Sequence, residues 1–236
     1  MTSQIENRLA TLDWGRLQSE LSETGHVLTP PLMTPEECAE LVAMYTDTSR
    51  FRSHIIMARY RFGSGDYKYF AHPLPKIVRE MRTQFYPHLA AVANDWNERL
   101  GAEERFPPHH EQFLKLCHEH GQNRPTPLLL HYQTGDFNCL HQDVYGPVAF
   151  PLQLTCFLTD KAGYSGGEFV LMENQPRAQS KAIVLGPSQG QVLVFATRSR
   201  PVKGKRGYFR VGVRHGVSPI WSGMRYTLGI PFHDAE

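Results

Sequence analysis

From Pro127 to the C-terminus the chain alternates short apolar, β-branched and aromatic runs with clusters of Gly, Pro, Asn and Asp, a pattern that predicts strands separated by turns. Eight runs carry it: LLLHYQ, NCLHQD, FPLQLTCFL, GEFVLM, KAIVL, QVLVF, YFRVGVRH and RYTLGIPF. Upstream the periodicity is helical. Thr34-Pro35-Glu36-Glu37 reads as a helix start, with Thr34 as N-cap, proline in the first turn and Glu37 reaching back; the helix is expected to run to about Asp47. Between Leu74 and Leu100 the apolar residues Ile77, Met81, Phe85, Leu89, Val92 and Trp96 fall near helical spacing. Pro87 is expected to kink or break that helix.

Eight antiparallel strands after a helical N-terminal part predict an α+β, mainly β fold. Its form would be a jelly roll, a cupin-like double-stranded β-helix buttressed by N-terminal helices. The length of 236 residues, 41% of them hydrophobic, suits one core, so a single domain over 1–236 is expected, mainly helical over 1–126 with the jelly-roll core over 127–233.

Strand alternation also sorts the chemistry. His141 and Asp143 stand two apart and can reach one ion from a single strand. A chain with 12 His holds roughly 0.4 such pairs by chance, so the pair alone says little. Phe209, Val211, Val213 and His215 share one face of a distant strand, with Arg210 and Arg214 on the other, so His215 ends an apolar inward stripe. Two imidazoles and one carboxylate on one face of a metal leave the opposite face open, the arrangement of non-haem Fe(II) sites that activate O2. The alternative for His215 is a hydrogen-bonded core histidine. In the last run Arg225, Thr227 and Gly229 share a face, while Tyr226, Leu228, Ile230 and Phe232 share the face expected to meet the helices. A buried Arg225 needs an anionic partner, no acidic residue is close in sequence, and a ligand carboxylate would serve.

The four cysteines, Cys38, Cys117, Cys139 and Cys156, form no CxxC pair, which suits a reducing compartment. With no apolar leader and no membrane-length apolar run, a cytoplasmic protein without membrane contact is expected. Net charge is +2, but ten Lys or Arg and no Asp or Glu lie between Asn174 and His233. That basic third could attract a polyanion or be a solvated basic face, and Lys203, Lys205 and Arg206 are its candidate substrate contacts. The segment from Arg59 to Phe70, which includes Tyr67 and Tyr69, alternates basic and aromatic residues around glycines; it reads as a base-stacking lid or as an ordinary loop packing its aromatics on the core. His109, His110, Cys117, His118 and His120 match no common zinc spacing and read as a solvated helix end. No sequence feature points to a protein partner.

Taken as a set, the HxD pair, a histidine 74 residues after His141 and an arginine ten residues further resemble the 2-oxoglutarate and Fe(II)-dependent dioxygenases. Tyr132-Gln133-Thr134-Gly135 resembles the strand and turn that precede the metal ligands in prolyl-hydroxylase-like members. The resemblance implies His141, Asp143 and His215 as catalytic iron ligands, Arg225 and Tyr132 on 2-oxoglutarate, and O2 as second co-substrate. LHQDVYG, FPLQ, GGEFVL, QPRAQS, RPVKGKRGYFRVGVRHGVS and TLGIPFHDA are similar, nearly continuously, to a bacterial group described as oxygenases acting on alkylated DNA. It implies oxidative demethylation of nucleic acid, DNA or single-stranded DNA included, with duplex bases flipped out. One departure stands against damage reversal of the AlkB type: the RxNxTxR strand of that type is replaced by Arg225-Tyr226-Thr227-Leu228-Gly229-Ile230-Pro231, lacking its asparagine and second arginine. A protein (prolyl-type) or small-molecule hydroxylase is the alternative, and a non-catalytic jelly-roll binding module the third.

Overall fold

A computed structural model describes residues 4–236. Its helices are α1 (Gln4–Ala10), α2 (Trp14–Thr24), α3 (Pro35–Ala43), α4 (Lys76–Arg99) and α5 (His110–Glu119). The strands are β1 (His26–Leu28), β2 (Phe51–Ile56), β3 (Gly63–Ser64), β4 (Asp66–Phe70), β5 (Leu128–Gln133), β6 (Phe137–His141) and β7 (Leu152–Phe157). There follow β8 (Tyr164–Gly166), β9 (Phe169–Asn174), β10 (Lys181–Leu185), β11 (Val192–Ala196), β12 (Ser199–Gly204), β13 (Gly207–Val217) and β14 (Ile220–Pro231). They form an antiparallel sandwich. The larger sheet runs β1-β11-β7-β14-β5-β4-β2, with β8 on the far end of β14; the smaller runs β10-β9-β13-β6-β3, with β12 on β13.

All eight expected runs are strands, with shifted ends. The N-terminal part is less purely helical than its periodicity predicts, since β1 to β4 lie in it and β2 and β4 extend the larger sheet. Helix α3 starts at the expected capping box, in which Glu37 N–H donates to Thr34 Oγ1 and Thr34 N–H to Glu37. It gives way after Ala43 to a 3-10 turn at Met44–Thr46. Helix α4 is not broken by Pro87. Pro87 and Thr83, whose carbonyl loses its partner, are both exposed, so water can satisfy that carbonyl, while Tyr86 and Leu89 beside it are buried and hold the helix to the core.

The helices cover the outer face of the larger sheet. Leu228, Ile230 and Phe232 point to that side, where Phe232 meets Tyr86 of α4 with ring centroids 5.9 Å apart. The opposite face of β14 looks between the sheets, and there the site lies. Of the expected apolar stripe on β13, Val211, Val213 and His215 are buried, but Phe209 is exposed. It lies where β13 has outrun β9 and pairs only with β12, so its ring stays at the surface against Gly204. The histidines around α5 are not simply a solvated helix end: His110 and Cys117 are buried, His110 Nε2 sits 2.8 Å from the Phe232 carbonyl, and His118 Nε2 lies 3.1 Å from Asp234.

Candidate active site

Strands β6 and β13 lie side by side in the smaller sheet with His141 opposite His215, so two imidazoles separated widely in sequence meet with ring centroids 4.2 Å apart. Asp143, just past the end of β6, closes the group: its carboxylate oxygens lie 3.5 Å from His141 Nε2 and 3.2 Å from His215 Nε2. One ligand atom from each residue falls within 4.8 Å of the others, and among the described residues this is the one such group able to hold a metal ion. His141 Nδ1 faces the Cys139 carbonyl at 2.7 Å. A proton there leaves the Nε2 lone pair free for a metal. His215 is buried between Phe169 and Phe195, with Nδ1 unpartnered.

Charge is arranged accordingly. Burial alone would raise the Asp143 carboxyl, but His215 and His141 beside it hold it well below the usual carboxylate range. Burial, aided by His141, pushes His215 down, whereas Asp143 holds His141 up against burial. The carboxylate is ionised and His215 favours the neutral form that a metal requires. Tyr145 donates to Asp143 Oδ1 at 2.9 Å, and burial followed by the charge of Asp143 raises its phenol far above the ordinary range, so it remains a donor. Gln142, between the two HxD ligands, donates to the carbonyls of Arg198 and Val213 and ties the loop to β13.

The triad forms one wall of a cavity of about 190 Å³ between the sheets. The opposite wall comes from β4, β5, β7 and β14, which contribute Tyr67 and Tyr69, Tyr132, Gln153, and Arg225 with Thr227. Arg225 is 1% exposed, and its Nε and both terminal nitrogens lack a hydrogen-bond partner. Its guanidinium carbon stands 5.5 Å from the ring centres of Tyr132 and Phe157. Gln153 Nε2 is also buried and unpartnered. A buried cation with no hydrogen-bonded counter-charge is costly, so a cavity with these donors suits an anionic ligand.

Sequence reasoning named His141, Asp143, His215, Arg225, Tyr132, Tyr67 and Tyr69, and all seven line this cavity. Tyr132 is fully buried and accepts from Asn138 Nδ2 at 3.3 Å. Tyr67 and Tyr69 are inner-wall residues, edge-on at 5.5 Å, with Tyr69 edge-on to Tyr145 at 6.1 Å. Lys203, Lys205 and Arg206 are elsewhere. They sit at the exposed end of the β12–β13 hairpin, roughly 27 Å along β13 from His215. There the Arg99 guanidinium at the end of α4 lies 5.1 Å over the Tyr208 ring. Sequence reading missed Tyr145, Gln142 and Gln153; the alternation Asp143, Tyr145 was the one signal for the first.

A family model described as an oxygenase catalysing oxidative methylation of damaged DNA, Oxygenase-NA, matches residues 65–235. An uncharacterised protein of Mycobacterium tuberculosis is 45% identical over 167 residues, 70% of this chain and 72% of its own. Among solved structures, a prolyl hydroxylase from Trichoplax adhaerens in complex with a hypoxia-inducible-factor peptide superposes with a TM-score of 0.57 at 15% identity, covering 99% of this chain and 94% of that one. A 2OG-Fe(II) oxygenase family oxidoreductase from Burkholderia pseudomallei gives 0.54 at 14%, covering 95% and 93%. A Pseudomonas putida prolyl-4-hydroxylase gives 0.51 at 15%, covering 94% and 100%. These structural likenesses show a shared double-stranded β-helix fold. Among the described residues no helix is long and apolar enough to cross a membrane.

Proposed function

We propose, from the premise that the chain belongs to the Oxygenase-NA family, that it is an Fe(II)- and 2-oxoglutarate-dependent dioxygenase that removes methyl groups oxidatively from alkylated nucleic acid. The observation that carries the reading is the pairing of two walls: a three-ligand group, His141, Asp143 and His215, faces a cavity whose other side holds the unpartnered Arg225 guanidinium. His141, Asp143 and His215 would hold the iron, a set that leaves coordination positions open. Arg225, with Tyr132 and Thr227 beside it, would take the distal carboxylate of 2-oxoglutarate through charge-assisted hydrogen bonds.

Bound there, iron and 2-oxoglutarate supply oxygenation: one atom of O2 enters a substrate C–H bond and the other enters succinate, which leaves with CO2. The chain's own residues do the rest. Tyr145 holds the Asp143 carboxylate in place. Tyr67, Tyr69, Leu128 and Leu130 line the cavity and limit its water. Oxygen inserted into an N-methyl group gives an N-hydroxymethyl product that releases formaldehyde and restores the amine, which is why removal of the methyl group is the direction proposed. The same fold in peptide hydroxylases supports a second reading, a prolyl-type hydroxylase, in which Arg225 would serve the carboxylate as a single arginine.

The test is a panel of N-methylated oligonucleotides, single- and double-stranded, with prolyl peptides and free amino acids, read by mass after incubation with Fe(II), 2-oxoglutarate and O2. Demethylated oligonucleotide, matched by succinate and abolished in His141→Ala, Asp143→Ala and His215→Ala, is the expected result. Oxygen gained by peptide alone would transfer the assignment to the second reading, and full turnover in a folded triad variant would end the iron-site assignment.

A further inference from the structure

The segment leading into β3 is pinned across the open side of β6. Cys139 N–H donates to the Phe62 carbonyl at 2.8 Å, and Gly63 and Ser64 pair with Asn138 and Phe137. Gly63 adopts φ +134°, and a side chain there would sit 2.3 Å from the Phe137 carbonyl, so only glycine lets this strap lie so close. The strap presents its large side chains outward. Tyr60 is 56% and Phe62 46% exposed, and their rings stack on each other at 5.5 Å. Arg59 precedes Tyr60 and Arg61 stands between the two aromatics in sequence; both arginines are exposed, with no ion pair or side-chain hydrogen bond among the described residues. No acidic residue occurs from Phe51 to Gly65.

Isolated exposed aromatics need no explanation, but a stacked pair on a segment hydrogen-bonded to β6, with two unpaired arginines beside it in sequence, does. Phe62 itself lines the cavity that contains the triad. At another edge Gln142 belongs both to that cavity and to an open groove of about 590 Å³, which Arg198 and Arg210 line without any carboxylate. Flat rings and unneutralised arginines match the two parts of a nucleotide, base and phosphate, and they match a splayed strand better than a peptide backbone.

We propose that the Tyr60–Phe62 strap is the platform on which bases of a single-stranded nucleic acid stack, and that the backbone passes Gln142 to Arg198 and Arg210. The proposal rests on the nucleic-acid reading above and names the surface that serves it, in place of the remote Lys203–Arg206 hairpin end. Stacking tolerates any base, so the platform holds the strand irrespective of sequence while the cavity selects the modified base.

The experiment measures binding of a fluorescein-labelled oligothymidylate about 12 nucleotides long to the full chain loaded with Fe(II) and 2-oxoglutarate under argon, across a salt series. Tyr60→Ala and Phe62→Ala are each expected to weaken binding about tenfold without changing the salt slope, as loss of one stack would, while Tyr60→Phe binds like the wild type. Replacing Arg59 and Arg61 together with alanine should lower the log–log salt slope by about 0.7 per lost phosphate contact. The Lys203→Ala/Lys205→Ala/Arg206→Ala variant should bind as the wild type. Tyr60 contributes nothing to the cavity lining, so its variants decide the matter even if Phe62→Ala folds poorly. Wild-type binding in Tyr60→Ala together with loss in the hairpin variant would overturn this platform and leave the nucleic-acid reading standing. No binding by the wild type at low salt would overturn both.

Discussion

A guanidinium that is 1% exposed and has three unpartnered nitrogens is the residue-scale feature from which most follows. Replacing Arg225 with alanine should weaken 2-oxoglutarate binding by ~2–5 kcal/mol, the cost of truncating one partner of a buried charge pair, while metal affinity changes little. Lysine should restore only part, being a point charge without a planar fork. Titration calorimetry of the metal-loaded variants checks this, and unchanged 2-oxoglutarate affinity in a folded Arg225→Ala protein would leave the assignment without support. Arg225 was legible in the sequence because strand alternation puts it on the face opposite Leu228 and Ile230. His141, Asp143 and His215 were legible for the same reason. Gln153 was not, because it enters from β7 and only the facing of two sheets sets it across the cavity from the triad; Tyr145 reaches Asp143 from two residues on, in a loop whose course strand alternation does not fix.

At the scale of elements, the least legible strands were those whose residues mix polar and apolar on both faces. Strand β2 carries Arg52 and His54, and β4 carries Lys68, whose ammonium is buried against the Tyr45 carbonyl at 2.8 Å rather than solvated. β12, outside the eight expected runs, contains Pro201; it is an edge strand paired with β13 alone, where a missing N–H is tolerated. Packing of the last strand's apolar face on the helices was expected, but the polar attachment of α4 to the end of β14 was invisible. Arg82, buried within α4, donates to the carbonyls of Pro231, Phe232 and His233 and pairs with Asp234 at 2.8 Å. Arg82→Ala removes a donor from five acceptors, Thr126 Oγ1 included, and leaves the Asp234 carboxylate, 1% exposed, without its buried cation. It is expected to cost ~3–5 kcal/mol in urea unfolding. A loss within ~0.5 kcal/mol, the range of ordinary surface changes, would mean that the C-terminal segment is held by packing alone.

At the scale of the whole molecule, two neutral histidines near that segment tie stability to pH. Burial, aided by Arg82, pushes His110 from 6.5 to about 3 and His233 to about 4. The unfolded chain therefore takes up protons that the folded chain refuses. Stability from these groups is full above about pH 6.5 and is lost as pH falls towards 4, by roughly 1.4 kcal/mol per pH unit for each histidine. Urea midpoints should fall over that window, and less steeply in His233→Gln; an identical pH slope in that variant would remove His233 from the account. The division of the site between sheets has a different consequence. The three side chains that could hold a metal belong to the smaller sheet and the loop that continues β6, and Arg225 to the larger. Any ligand that reached both would be a rivet through the sandwich as well as a reactant, so its supply would set how readily the two layers breathe apart, and the molecule's survival against heat and proteases would become a gauge of its own readiness to react.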